Sequence, residues 1–248
     1  MKLLRLLNLA LQFSTRIPGF TIKYNEKELG ASGVFFPFIG LLLGTILYFE
    51  ARFFAGTNLI VSALLIIVTG ILLSGGLHLD GFMDTMDGLM SGTKDEKMLT
   101  IMSDSHVGAH SVTMLFVLLM SKLAFLIAIL QFQPLLILIL PMIGRIMMLL
   151  CIVYFPYAKK KGIGLIYKDN LSPNNVYILA LAIILVLIIL MPIIAVALFA
   201  TLSSIIIFSK NIFKKIGGLT GDVYGAIAEI SEVLFMFFIF ITYTIIGG

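Results

Sequence analysis

Three aspartates at helical spacing are the most informative feature of this sequence. Asp80, Asp84 and Asp87 stand at positions i, i+4 and i+7, so a helix would place all three carboxylates on one face. Such a face is unfavourable unless a cation neutralises it, and Mg²⁺ prefers oxygen ligands that it shares with substrate phosphates. The spacing therefore predicts a magnesium site for chemistry on a phosphorylated substrate. A solvated acidic face at the end of a helix is the alternative.

A second polar cluster follows in residues 102–111. Asp104 could add a metal ligand there, while His106 or His110 could transfer protons near neutral pH or bind phosphate as imidazolium. A helix cap or another structural contact is the alternative reading of such a histidine. The short distance along the chain from the aspartates favours a place in the same site.

A third cluster combines glycines at residues 217–221 with three acids, Asp222, Glu229 and Glu232. Glycine-rich backbone can approach an anion closely, and the acids share one side of a following helix. We expect this segment to form the other wall of the same site.

Two basic residues, Lys122 and Arg145, lie inside apolar segments. An unpaired charge there costs at least ~2.5 kcal/mol on insertion scales, so both require partners. One interpretation is an internal ion pair, which we favour for Lys122. The other is neutralisation of substrate phosphate from beneath the site, which is equally plausible for Arg145.

The composition requires lipid as the solvent of the elements that carry these residues. Of the 248 residues, 60% are hydrophobic and 12% are charged, and the mean hydropathy is +1.12, which excludes a soluble globular domain. The net charge of +4 reflects membrane topology rather than nucleic-acid binding. Cys151 is the only cysteine, which excludes a disulfide framework.

Apolar runs of about 20 residues, the length that crosses a bilayer, recur along the chain. We predict an all-α polytopic membrane bundle of about seven spans, with a tight turn at Met191 and Pro192. The spans are residues 34–54, 59–77, 112–130, 135–155, 177–190, 193–208 and 233–246.

Basic residues predict the topology, because Lys and Arg accumulate in cytoplasmic loops. With the N-terminus inside, 14 of the 17 basic residues fall in cytoplasmic segments. We expect one catalytic domain, residues 1–248, in the cell membrane, with an amphipathic segment at 1–30. The cytoplasmic loops would be 78–111, 156–175 and 209–230, with the run 159–161 serving as a lipid-binding topology anchor.

The sequence resembles the cobalamin synthase family, also called adenosylcobinamide-GDP ribazoletransferases. The segments that carry the resemblance are GGLHLDGFMDTMDGLMSG, IMSDSHVGAHS and GGLTGDVYGAIAEISE, with LNLALQFSTRIP and GVFFPFIGLLLG near the N-terminus. The resemblance implies a membrane enzyme that transfers adenosylcobinamide phosphate from its GDP-activated form to α-ribazole or its 5′-phosphate, releasing GMP. It also implies Mg²⁺ as cofactor.

The resemblance and the spacing together give each residue an expected role, with a 5′-hydroxyl attacking the cobinamide-side phosphorus. The expected metal ligands are Asp80, Asp84 and Asp104. The expected catalytic residues are Asp87 or His78 as base, and His106. The expected substrate-binding residues are Arg145, Lys122, Asp222, Glu229 and Glu232.

Two other functions fit parts of the pattern. Membrane phosphotransferases of the CDP-alcohol type also space aspartates around Mg²⁺, although the Ala-Arg pair of their motif is missing after Gly81. A cation transporter would use intramembrane acids, but here the acids cluster at one membrane face. The expected partners are the two substrates and membrane lipid, without nucleic acid, and also a second copy of the chain or other enzymes of the cobalamin pathway.

Overall fold

Residues 2–246 are described by the computed structural model, and their regular elements are helices together with one isolated bridge between Tyr157 and Leu219. Met1, Gly247 and Gly248, which the predicted domain includes, lie outside the described residues. The twelve α-helices are α1 (Lys2–Ser14), α2 (Glu26–Ser32), α3 (Phe36–Phe53), α4 (Leu59–Ser74), α5 (Leu77–Met90), α6 (Asp95–Met102), α7 (Ala109–Phe132), α8 (Leu140–Tyr154), α9 (Ile163–Asn170), α10 (Pro173–Leu190), α11 (Ile194–Ile216) and α12 (Gly221–Ile246).

The predicted membrane bundle is confirmed in its class. Five helical segments are long and apolar enough to cross a membrane, counting α2 and α3 together, and the count is six if the bent pair α4 and α5 is one span. Large apolar side chains such as Ile178, Ile189 and Phe199 are exposed on the outside of the bundle, as a lipid-facing surface requires. The turn predicted at Met191 and Pro192 is present between α10 and α11.

The remaining predicted span corresponds to α8, which is short and central. Its 15 residues rise about 22 Å, less than the ~30 Å of a hydrocarbon core. Nearly all of its side chains are buried, from Leu140 to Val153, because α3, α10 and α12 pack around it. Because neighbouring helices bury it on all sides, α8 lies inside the bundle rather than against lipid.

Glycines allow the central helices to approach closely. A Cβ atom at Gly40 on α3 would lie 2.7 Å from the backbone nitrogen of Met142 on α8. A Cβ atom at Gly144 would lie 2.7 Å from the carbonyl oxygen of Ala228 on α12. Since real Cβ atoms do not approach backbone so closely, these contacts require glycine.

A sharp bend separates α4 from α5 and sets the position of the aspartates. Gly75 and Gly76 both adopt left-handed backbone angles, with φ of 66° and 71°, which glycine populates without steric cost. The two helix axes consequently meet at 93°. We therefore treat α4 as the spanning segment and α5 as a helix that lies across its end.

The three regions predicted as cytoplasmic loops are largely helical. Residues 78–111 contain α5 and α6, residues 156–175 contain α9, and residues 209–230 contain the end of α11 and the start of α12. The N-terminal amphipathic segment forms α1, whose buried residues include Leu6, Leu9 and Ala10. These short helices surround the polar end of the bundle.

We expect Gly40→Ala to destabilise the protein by about 1–3 kcal/mol, because the added methyl would overpack the contact between α3 and α8. Gly70→Ala on α4 is the matched control, since its Cβ would lie 3.8 Å from the nearest atom, a side-chain carbon of Leu47. Thermal unfolding of both variants in detergent measures the difference. Equal melting temperatures for the two variants would contradict the packing described here.

Candidate active site

The site forms where α5 crosses the beginning of α12. At this crossing a Cβ atom on Gly81 would lie 2.7 Å from the carbonyl oxygen of Asp222. A Cβ atom on Gly225 would lie 3.1 Å from the Cα of His78. The two glycines thus bring the backbones together, and the first turn of α12 lies beside the aspartates of α5.

A polar cavity of about 410 Å³, which we call the carboxylate pocket, opens at this crossing. It brings together five predicted acids from three separate segments: Asp80, Asp84 and Asp87 of α5, Asp104 before α7, and Asp222 of α12. His106 and Lys159 also line it. The predicted stripe of carboxylates therefore does face a common cavity with Asp222.

Asp84 is partly buried and is surrounded by the other carboxylates of the pocket. Burial, followed by the neighbouring charges of Asp222 and Asp80, raises the pKa of Asp84 to about 6. A carboxylate that resists ionisation among other carboxylates is stabilised by a cation or by removal of its charge. The pocket is thus electrostatically prepared for a positive ligand.

Asp87 is held by the backbone at the start of α7. Its two carboxylate oxygens accept hydrogen bonds from the amides of Gly108, at 2.9 Å, and Ser111, at 2.8 Å. These amides belong to the unpaired donors of a helix N-terminus. Asp87 was predicted as a base, but both of its carboxylate oxygens bind the start of α7. This favours a role in positioning α5 against α7.

Asp104 and His106 form an exposed pair at the rim of the pocket. The carboxylate accepts a hydrogen bond from the backbone amide of His106 at 3.0 Å and lies 2.6 Å from its ring Nδ1. The backbone and side-chain hydrogen bonds from His106 lower the pKa of Asp104. His110 is exposed and does not line the pocket.

Lys159 is a functional candidate that the sequence analysis missed, having assigned the run 159–161 to lipid. Its Nζ lies 3.2 Å from Oδ2 of Asp222, and that oxygen also accepts a hydrogen bond from Thr220. The chain is held there by the backbone pairing of Ala158 with Leu219. In the sequence, only Gly162 and Gly164, which follow the basic run 159–161, indicated a loop that folds against another segment.

Four other predicted substrate-binding residues form a buried charge network in the bundle. Lys122 on α7 donates to Glu229 and Glu232 on α12, and Arg145 on α8 donates to Glu232 at 2.7 Å. Lys122, Glu229 and Glu232 lie apart from the carboxylate pocket, around a small cavity of about 70 Å³. This geometry matches the internal ion pair, which was one of the two interpretations of Lys122 and Arg145 from the sequence.

A second cavity, of about 360 Å³, adjoins the first and is called the aromatic pocket here. Aromatic and apolar side chains form most of its wall: Phe13, Phe36, Met148, Ile152, Tyr157, Tyr167 and Tyr224. His78 and Arg145 also line it, and Asp80, Lys159 and Asp222 belong to both cavities. Burial lowers the pKa of His78, so its imidazole is neutral and a weak base.

The donor set fits a magnesium ion that is shared with a substrate. Within residues 2–246, no three His, Cys, Asp or Glu side chains are arranged to ligate a single metal ion. Mg²⁺ commonly takes only one or two carboxylates, completing its shell with phosphate oxygens and water. Burial and the neighbouring carboxylates of Asp222 and Asp80 together raise the pKa of Asp84, which favours a cation between these acids.

The fold and the site define a polytopic membrane enzyme with a carboxylate pocket at one end of its helical bundle. A family model described as cobalamin-5-phosphate synthase matches residues 6–240. The chain belongs to this family, and it is a transferase of late cobalamin biosynthesis. This membership decides against the CDP-alcohol and transporter alternatives.

Similar proteins cover nearly the whole chain. An adenosylcobinamide-GDP ribazoletransferase of Desulfitobacterium hafniense is 36% identical over 243 residues, covering 94% of this chain and 95% of the relative. Enzymes with the same name from Clostridioides difficile and Pseudomonas fluorescens are 33% and 35% identical, covering 94% and 91% of this chain and 96% and 94% of the relatives. No solved structure matches the chain.

We expect Asp84→Asn to raise the stability of the metal-free protein at pH 8. The pKa of Asp84 is raised in the folded state, so ionisation of this carboxyl opposes folding above about pH 6 and not below its ordinary pKa near 4. The advantage of the variant should therefore disappear at pH 4. Melting temperatures in detergent with chelator measure it, and exposed Asp169→Asn is the control. A variant that is less stable than wild type at pH 8 would contradict the crowding of the carboxylates.

We expect Lys122→Met to destabilise the bundle by about 3–5 kcal/mol, because it leaves two buried glutamates with Arg145 as their only counter-charge in the described chain. The double variant Lys122→Met/Glu229→Gln should recover part of the loss. Lys210→Met, on the exposed surface, is the control. Thermal unfolding gives the comparison, and a Lys122→Met protein as stable as the control would show that the network is not structurally important.

Proposed function

We propose that the chain joins adenosylcobinamide-GDP to α-ribazole or α-ribazole 5′-phosphate at the carboxylate pocket, with Mg²⁺ as cofactor and GMP as the leaving group. The observation that carries this proposal is the meeting of Asp80, Asp84 and Asp222 with Lys159 in one cavity. A pyrophosphate substrate needs that combination, because carboxylates hold its cation while an ammonium neutralises its oxygens.

The family description names a 5-phosphate product. A ribose whose 5′ oxygen carries a phosphate cannot attack through that oxygen. We therefore assign the attack to a secondary ribose hydroxyl, in place of the 5′-hydroxyl expected from the sequence. The hydroxyl oxygen bonds to the cobinamide-side phosphorus, the bridging P–O bond breaks, GMP leaves with the electron pair, and the hydroxyl proton passes to a carboxylate of the pocket.

The residues divide this work by position. Asp80 and Asp84 would hold Mg²⁺, with Asp104 across the pocket, and the ion would neutralise phosphate charge when bound. Lys159 contacts phosphate oxygens, and Asp222 positions Lys159. Neutral His78 is suited to accept a hydrogen bond from the attacking hydroxyl rather than to hold its proton, because burial makes it a weak base.

The membrane orientation belongs to the same proposal. We place the N-terminus and the carboxylate pocket on the cytoplasmic side, which is supported by the basic residues of the segments around that end of the bundle. Soluble substrates and Mg²⁺ then reach the pocket without crossing the membrane. Self-association and association with other pathway enzymes remain predictions of the sequence.

The test is GMP release by protein reconstituted in nanodiscs with adenosylcobinamide-GDP, α-ribazole or its 5′-phosphate, and Mg²⁺. We expect Asp84→Asn and Asp80→Asn to lose about 100-fold or more of kcat, because a bound cation supplies several kcal/mol of transition-state stabilisation. Asp169→Asn should remain fully active.

Chelation of Mg²⁺ should abolish release in wild type, and added Mg²⁺ should restore it. A folded wild-type preparation that releases no GMP from either acceptor would overturn the proposed reaction. Full activity of Asp84→Asn would overturn the assignment of the site.

A further inference from the structure

Unpaired polar atoms concentrate in the aromatic pocket. Within residues 2–246, the buried side-chain atoms that lack a hydrogen-bond partner include Nδ1 of His78, Nε of Arg145 and Oη of Tyr224. These three residues are only 5%, 4% and 4% exposed, and all three line this pocket. Buried polar groups normally have partners, since leaving one unpaired is costly. Three such residues in the wall of one cavity indicate a ligand that binds there.

The walls of the pocket suit a flat aromatic ring. Phe13 and Phe36 each lie 5.1 Å from the ring of Tyr167, and Tyr157 lies 6.2 Å from Tyr224, centroid to centroid. Stacking and edge contacts with aromatic side chains bind planar bases without regard to their hydrogen-bonding edges. The volume of about 360 Å³ is within the range of small-molecule sites.

The size of the pocket separates the two substrates of the proposed reaction. A corrin ring with its amide side chains is several times larger than a nucleoside, so the cobinamide half cannot enter. Three aromatic groups remain as candidates, which are the guanine of the GDP half, the adenine of the adenosyl group and the benzimidazole of α-ribazole.

The chemistry of the wall distinguishes the benzimidazole from the other two bases. Guanine and adenine present N–H donors on their Watson–Crick edges and require acceptors such as carboxylates or amides. The carboxylates of this pocket, Asp80 and Asp222, lie where it joins the carboxylate pocket. Besides Phe13, Met148 and Ile152, the rest of the wall offers the imidazole of His78 and hydroxyl groups but no carboxylate or amide side chain. A benzimidazole linked to ribose has no N–H donor and needs no acceptor from such a wall, whereas guanine and adenine need acceptors along one edge.

We propose that the aromatic pocket binds the α-ribazole substrate, with its benzimidazole against Phe13, Phe36 and Met148 and its ribose directed towards Asp80 and Asp222. The proposal rests on the proposed function and names which substrate occupies which cavity. In this arrangement the unpaired atoms of His78 and Tyr224 pair with the nucleoside, and Nε–H of Arg145 donates to the unsubstituted ring nitrogen of the benzimidazole. The attacking hydroxyl lies at the boundary of the two cavities, beside the pyrophosphate in the carboxylate pocket.

The charges at the boundary agree with both forms of the acceptor. Lys159 and Lys161 line the pocket next to its opening, where a 5′-phosphate on the ribose would lie. The aromatic end of the pocket contacts only the base, so a phosphate on the ribose does not change how the base binds. The same pocket therefore accommodates α-ribazole and its 5′-phosphate.

The test is the effect of Tyr224→Phe on the Michaelis constants of the two substrates in nanodiscs. The change removes one unpaired hydroxyl and preserves the ring, so the fold should be retained. We expect the KM for α-ribazole to rise about threefold to tenfold, the range of one neutral hydrogen bond. The KM for adenosylcobinamide-GDP and the inhibition constant of GMP should stay at their wild-type values.

Phe13→Leu is the second variant, and it should also raise the KM for α-ribazole alone, through lost stacking. Tyr48→Phe is the matched control, because Tyr48 lies outside both cavities, and its kinetics should equal those of wild type. Size-exclusion profiles confirm that each variant is folded.

Each outcome supports or overturns the proposal. A rise in the KM for adenosylcobinamide-GDP would place the adenosine or guanosine of that substrate in this pocket, and a rise in the inhibition constant of GMP would place guanosine there; either result would overturn the proposal. Unchanged constants in both Tyr224→Phe and Phe13→Leu would show that no substrate uses the pocket. Both results require an active wild type, whereas a wild type that releases no GMP contradicts the proposed function itself.

Discussion

The close crossing of α5 and α12 determines the rest of the site. Because Gly81 and Gly225 have no side chains, the two backbones meet directly, and Asp222 comes to lie with Asp80 and Asp84 around one cavity. The same crossing separates the carboxylate pocket from the aromatic pocket while leaving Asp80 and Asp222 in both walls. The positions of Asp80, Asp84 and Asp222 therefore depend on helix packing at glycine.

A buried charge network in the apolar part of the bundle helps to hold α12 in place at this crossing. The network of Lys122, Arg145, Glu229 and Glu232 connects α7, α8 and α12, and its two positive and two negative charges balance. In a low-dielectric interior such pairs are specific, because any alternative packing leaves a charge without a partner. Asp87 continues the connection at the polar end by binding the amides that begin α7.

Local pattern in the sequence predicted the elements better than it predicted their partners. Apolar runs predicted the helices of the membrane bundle, and the spacing of Asp80, Asp84 and Asp87 predicted their shared face. The acids of α12 show the limit of such reasoning. Asp222, Glu229 and Glu232 share one side of the helix, but the two glutamates lie about 10 and 15 Å further along its axis. Periodicity gives the angle of a residue around the helix axis but not its position along that axis. The prediction therefore placed all three acids in one site.

Features assembled from distant segments could not be predicted in this way. The aromatic pocket combines side chains of α1, α3, α8, α9 and α12, and no single segment carries its pattern. Lys159 was assigned to a lipid-binding basic run, whereas the pairing of Ala158 with Leu219 places it next to Asp222. The bend at Gly75 and Gly76 likewise could not be predicted, because it depends on their left-handed backbone angles.

The ion pair between Lys159 and Asp222 gives the resting pocket an internal counter-ion. A pyrophosphate that arrives with a bound cation meets this existing ion pair rather than an uncompensated charge. In the proposed reaction, Lys159 would share its ammonium between Asp222 and the phosphate, so a pyrophosphate with a bound cation would change the total charge of the pocket little. An anion without a cation would draw the lysine away and leave Asp222 uncompensated among other carboxylates. Charge balance would therefore favour a metal-complexed pyrophosphate over free phosphate.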